Sequence, residues 1–207
     1  MPERPLGSIH LVYDLDVVDV LPDASARLDR LLAAGLPSLQ FRAPNRTAEE
    51  RRRRGAELLA RAREAGALFV VNGDVETAIA LRADGVHLPA RLPAPADVRS
   101  RLPEGMLLGA AAHDARELER ARGGDWVLLS PVCATLSKPG AATLGIPGFA
   151  ALAATSTVPA YALGGVDLGT AAACFRAGAT GIAAVRALLG PDGPELVRLA
   201  EELAAAP

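Results

Sequence analysis

Short apolar runs alternate with longer amphipathic stretches along this chain. Eight runs stand out: 8–14 (SIHLVYD), 38–42 (SLQFR), 68–72 (LFVVN), 85–88 (GVHL), 106–110 (MLLGA), 126–130 (WVLLS), 159–165 (PAYALGG) and 180–185 (TGIAAV). Runs of this length read as buried strands. Their spacing, mostly about 20–30 residues, is the size of one strand–helix unit. The stretches between them read as helices, several with their own start signals. Thr47 with Glu50 makes a capping-box pattern before RRRRGAELLARAREAG, and Gly66 supplies a stop. Asp74 precedes VETAIALRAD, Asp114 with Glu117 precedes LERARG, and Asp167 precedes LGTAAACFRAG, which ends at Gly178. The segment 91–103 is proline-rich and predicts a short helix, and PELVRLAEELAAA predicts a last one.

Eight such alternations predict an α/β fold with a parallel sheet covered by helices. A closed (β/α)8 TIM barrel uses all eight strands and leaves no edge, and an open doubly wound sheet is the competing arrangement. No linker divides the chain, so residues 1–207 are expected to form a single domain.

Composition narrows the class of partner. Half of the residues are apolar, mostly Ala, Leu and Val, so the core is expected to be many small packed layers. A formal net charge of −2 gives no field that would favour nucleic acid or an anionic membrane. The run Arg51–Arg54 follows two glutamates on a helix and reads as a solvated face. Cys133 and Cys174 are far apart and make no disulfide pattern, the N-terminus lacks a signal peptide's order, and no apolar run spans a bilayer. A soluble, cytoplasmic protein is expected.

In a parallel barrel the ligand site lies at the C-terminal ends of the strands. That rule selects Tyr13, Asp14 and Asp16; Gln40, Arg42 and Asn45; Asn72 and Asp74; His87; His113; Thr135, Ser137 and Lys138; Gly164 and Gly165; and Val185 and Arg186. Backbone N–H groups after the last two strands often hold phosphate, and a Gly-Gly pair admits the close approach. The plainer reading of that pair is a tight turn. Arg186 is placed to add a charged contact, or to be a solvated helix residue. Lys138 lies across the mouth, where an ammonium beside two hydroxyls suits phosphate or pyrophosphate. Arg42 would face the mouth, to hold an acidic group or to pair with Asp14 or Asp16. His87 lies within a strand and reads as structural. Cys133 has no evident His partner, and no His/Cys cluster suggests zinc.

The ordered motifs SLQFRA, LFVVNGD, ADGVHL, LLGAAAH, SPVCATLSKPG, YALGGV and ATGIAAV resemble thiamine phosphate synthase and its TenI-like relatives, over about residues 9–189. The resemblance implies a (β/α)8 barrel, often dimeric, which leaves a homodimer open. It implies a small phosphorylated substrate and a role in thiamine biosynthesis. The synthase joins a hydroxymethylpyrimidine pyrophosphate to a thiazole phosphate and releases pyrophosphate, with Mg²⁺ on carboxylates and basic side chains neutralising the leaving group. Gln40 and Arg42 match the family's Gln-x-Arg-x-Lys, whose Lys falls on Pro44. Thr135, Ser137 and Lys138 match its Thr-x-Thr/Ser-Lys, and Gly164 and Gly165 its phosphate-binding Gly-Gly. The metal carboxylates fall on Gly73, after Asn72, and near Leu92; the serine before the strand-5 His falls on Ala111. Asp74, Asp14 and Asp16 are the neighbouring carboxylates, and Mg²⁺ is expected only with the synthase reaction. The TenI-like tautomerase needs no metal and uses a His that falls on Pro131, with His113 the nearest substitute. A third reading is a non-catalytic phosphate-binding barrel. Strand-end rule and resemblance together nominate Lys138, Arg42 and His113 for catalysis. For binding they nominate Gln40, Asn72, Thr135, Ser137, Gly164, Gly165, Val185 and Arg186. No residue is assigned as a metal ligand.

Overall fold

The structure, a computed structural model, describes residues 5–135, 140 and 142–206. Every apolar run forms a strand: β1 (Ile9–Asp14), β2 (Ser38–Arg42), β3 (Leu68–Asn72), β4 (Gly85–Leu88), β5 (Leu107–Ala112), β6 (Trp126–Leu129), β7 (Ala160–Leu163) and β8 (Gly181–Ala184). Each pairs in parallel with the next, and β8 returns to β1 with Ile9 opposite Ile182, closing the barrel. Closure decides against the open sheet.

The helices are α1 (Leu15–Val18) and α2 (Ala24–Ala33) after β1, α3 (Ala48–Glu64), α4 (Val75–Leu81), α5 (Pro95–Val98), α6 (Ala115–Arg120), α7 (Gly145–Thr155), α8 (Leu168–Arg176) and α9 (Gly193–Ala205). The capping signals work as read. Thr47, Asp74, Asp114 and Asp167 each accept a bond from the backbone N–H three residues on. Gly66 and Gly178 sit at φ 72° and 92° just past their helices, a conformation glycine adopts without strain. The helices α2 and α7 carry no such signal, because neither N-cap makes a side-chain bond. Packing holds them instead: Leu28, Leu31 and Phe149 are fully buried. The Arg51–Arg54 run is only half the solvated face expected of it. Arg52 and Arg53 are exposed, but Arg51 bonds Asp74 at 2.6 Å and Arg54 bonds Asp19 at 2.7 Å, tying α3 to its neighbours.

Strand alternation sorts the side chains into two cores. Leu11, Phe41, Phe69, Val86, Leu108, Val127, Ala162 and Ile182 face the helices. A second, smaller core of Leu6, Val70, Trp126, Leu128, Tyr161 and Ala183 fills the barrel. Its two large rings need small neighbours. A Cβ on Gly109, opposite Trp126 in the register, would lie 2.0 Å from the indole. One on Gly181, opposite Tyr161, would lie 2.6 Å from the phenol ring. Tyr161 completes the barrel floor by accepting from Leu6 N and donating to Gly7 O, each at 3.1 Å. Among the described residues no helix is long and apolar enough to cross a membrane.

Candidate active site at the barrel mouth

The inward face becomes polar toward the strand ends. His10, Ser38, Gln40 and His87 are buried inside the barrel. Ser38 Oγ lies 2.6 Å from Leu6 O, its shortest contact, so the hydroxyl proton goes there. His10 Nδ1, 2.8 Å from Ser38 Oγ, is then the donor and its Nε2 a bare acceptor. Burial holds both histidines well below the ordinary range, to about 4 for His10 and about 3 for His87, with the nearby His10 adding to the effect on His87. Both are neutral at physiological pH. His87 stacks over Trp126 at a centroid distance of 6.2 Å. His10 Nε2, Gln40 Oε1, His87 Nδ1 and Trp126 Nε1 are buried without a hydrogen-bond partner among the described residues.

Above this layer opens a cavity of about 580 Å³. Gln40, Arg42, Asn72, His113, Thr135, Gly164, Gly165, Val185 and Arg186 all line it. Nine side chains and backbone segments selected by the strand-end rule and by resemblance therefore share one mouth. Ser137 and Lys138 lie outside the described residues. His87 contributes to the wall, so a strand residue read as structural also meets the cavity.

Neighbours set what each group can do. Arg42 forms an ion pair with Asp14, which settles its choice between Asp14 and Asp16. The guanidinium keeps further N–H donors and remains partly exposed in the mouth. His113 Nδ1 lies 2.5 Å from Ser130 O, and a carbonyl only accepts, so Nδ1 carries the proton in the neutral ring. That leaves Nε2 as the basic atom, while the His113 backbone N–H donates to Glu117 at 2.8 Å. Cys133 and Cys174 are poor nucleophiles: burial pushes both thiols up, Cys174 to about 11.

The Gly164–Gly165 pair is fixed by the packing of a neighbouring loop. Their φ angles are 95° and 66°. A Cβ on Gly164 would meet Pro131 at 2.8 Å, and one on Gly165 would meet Ala134 O at 2.5 Å. The loop after β6 is bonded onto this segment, Val132 N to Leu163 O and Cys133 N to Gly164 O, each at 2.9 Å. Glycine is thus demanded by loop packing, whatever the mouth binds. The segment leads directly into the N-terminus of α8, where Asp167 accepts from Thr170 N and Thr170 Oγ1.

The mouth contains residues that sequence reasoning missed: Arg91, Ser130 and Asp167. Arg91 lies three residues past the end of β4, no farther than Asn45 lies past β2, but the reading of this strand end stopped at His87.

The residues around the mouth do not fit a Mg²⁺ site. Gly73 and Leu92 offer no side-chain oxygen. Asp74 is spent on Thr77 N, Thr77 Oγ1 and Arg51. Asp14 is paired with Arg42, and Asp16 with Asn45 and Arg46. The described residues include no cluster of three or more His, Cys, Asp or Glu placed to hold a metal ion. Residues 136–139 and 141, which lie outside the described residues, are Leu, Ser, Lys, Pro and Ala, none a carboxylate.

Residues 16–188 match the family model described as thiamine monophosphate synthase. The chain belongs to that family. Thiamine-phosphate synthase of Chromobacterium violaceum is 39% identical over 196 residues, covering 93% of this chain and 92% of that protein. Thiamine-phosphate synthase of Thermosynechococcus vestitus is 36% identical over 171 residues, and there the match spans 81% of this chain but 48% of the longer relative. Among solved structures, thiamine phosphate pyrophosphorylase from Pyrococcus furiosus superposes with a TM-score of 0.83 at 24% identity, covering 99% of both chains, which supports the barrel fold. Within a thiamine monophosphate synthase family barrel, the mouth just described stands at the strand ends, where ligands of this fold bind.

Proposed function

We propose that this chain, as a single barrel domain, couples a thiazole phosphate to a hydroxymethylpyrimidine pyrophosphate, forming thiamine phosphate and pyrophosphate. The observation that carries the reading is the convergence of the nominated groups on one cavity large enough for both small substrates. The names of the relatives favour a synthase over a tautomerase or a non-catalytic barrel.

In this reading the backbone around Gly164–Gly165, with Arg186 and Thr135, holds the thiazole phosphate, and Ser137 and Lys138 supply further donors to it. Gln40 Oε1, a buried acceptor without a partner among the described residues, receives a ring amine of the pyrimidine. Asn72 stands beside it. As the bond from the pyrimidine methylene to the pyrophosphate oxygen breaks, the thiazole nitrogen supplies the electron pair for the new C–N bond. Arg42 and Lys138 take up the charge that develops on the leaving oxygens. Quaternising the thiazole nitrogen releases no proton, so His113, which lines the same cavity, orients a substrate by accepting a hydrogen bond at Nε2. The cytoplasm and a homodimer are the setting proposed with this reading. Incubation with both precursors tests it: thiamine phosphate forms with the wild type and drops sharply with Lys138→Ala. Thermal stabilisation by the thiazole phosphate without any product would favour the binding-only barrel.

A further inference from the structure

The charge balance of the mouth points to a group that neither the motif match nor the strand-end rule selects. Three guanidiniums, Arg42, Arg91 and Arg186, line the cavity against two carboxylates, Asp14 and Asp167. Both carboxylates are engaged, Asp14 with Arg42 and Asp167 with the start of α8. Arg91 is exposed, and among the described residues it has no ion-pair or hydrogen-bond partner. Its backbone is nonetheless fixed. It is the third residue of a β-turn closed by Leu92 N donating to Pro89 O at 2.9 Å. Arg120 reaches the carbonyls on either side, Ala90 O and Leu92 O, each at 3.4 Å. Leu92 packs against the main core, and Gly73 lies close under Pro89 and Leu92, so the turn is seated on the end of β3.

A cation presented into a mouth already rich in positive charge is destabilised by its neighbours until an anion arrives. We propose that Arg91 is an anion-holding residue of this site, and that with Arg42 it receives the diphosphate of a substrate directly, without a divalent cation. The guanidinium fork matches two phosphate oxygens at once, which is the task a metal ion would otherwise perform between them. The poor fit of the surrounding carboxylates to Mg²⁺ is the other side of the same arrangement. This proposal rests on the synthase reading for the identity of the diphosphate, but the anion subsite itself can be tested apart from it.

The test is calorimetric titration of inorganic pyrophosphate in EDTA-containing buffer into wild type, Arg91→Ala and Arg91→Lys, each checked for fold by circular dichroism. The wild type is expected to bind in EDTA, with Arg91→Ala roughly 10- to 100-fold weaker and Arg91→Lys recovering part of the loss. Titration of inorganic phosphate should be nearly unchanged in Arg91→Ala, since that anion belongs beside Gly164–Gly165. Pyrophosphate binding that appears only when Mg²⁺ is added, or that is unchanged in Arg91→Ala, overturns the proposal. Assay of product from both precursors, in the same buffer and again with excess Mg²⁺, separates the two readings. Absence of thiamine phosphate with the calorimetric pattern intact sinks the synthase reading and leaves the Arg91 subsite standing.

Discussion

Mild acid should unfold this protein through two histidines inside the barrel. In the folded state burial holds His10 at about 4 and His87 at about 3, whereas each returns to 6.5 once unfolded. The unfolded chain therefore takes up two protons that the native barrel refuses. Their contribution to stability is fully present above pH 6.5 and is lost as pH falls toward the folded values. Between pH 7.5 and 5.0 each histidine removes about 2 kcal/mol, or about 4 kcal/mol for the pair, a large share of a typical domain's 5–15 kcal/mol. The window isolates them from the carboxylates. Asp19 and Asp74 are held below 3.8 in the fold, by Arg54 and Arg46 around Asp19 and by Thr77 and Arg51 around Asp74, so their stabilisation is lost only near and below that value. Urea denaturation at pH 7.5, 6.0 and 5.0 reads the slope, for wild type and for His10→Leu. The variant's absolute stability differs, but its loss between pH 7.5 and 5.0 should be about half that of the wild type. A wild-type change below about 1 kcal/mol, outside the error of such extrapolations, would refute the reasoning, as would an unaltered slope in His10→Leu.

Three further outcomes follow from the same geometry. Gly165→Ala combines a positive φ with a Cβ 2.5 Å from Ala134 O, so it should cost about 1–3 kcal/mol and displace the loop after β6. Scanning fluorimetry should show a lower melting temperature and a lost shift with thiazole phosphate. Gly109→Ala sets a methyl group 2.0 Å from the Trp126 ring inside a closed barrel, and about 1–3 kcal/mol or more should vanish in a denaturant titration. Wild-type stability there would contradict the packing described. Arg42→Ala removes a cation from the mouth and leaves Asp14 uncompensated; kcat/KM should fall roughly 100-fold in the coupled assay, with Arg42→Lys regaining only part because the fork geometry is lost.

The sequence by itself determined the alternation of strands and helices, and the pairing of β8 with β1 decided for the closed barrel. Each apolar run became a strand, because only an extended segment buried on both faces reads as continuous short hydrophobicity. Thr47, Asp74, Asp114 and Asp167 announced their helices because a cap is a local bond between residues three apart. The strand-end rule reached most of the polar side chains of the mouth for a related reason: barrel topology carries every strand end to one face. What lay beyond the sequence involved residues far apart in the chain. Nothing local decides that Arg42 meets Asp14 rather than Asp16, that Gly109 must yield to Trp126, or that Gly164–Gly165 supports the loop after β6. Those depend on register between strands and on how closely two backbones approach. Helices α2 and α7 went without a start signal because tertiary burial, not capping, holds them. Arg91 is the sharpest case. In the sequence it is one arginine among prolines, and only the turn on the end of β3 turns it into part of the mouth.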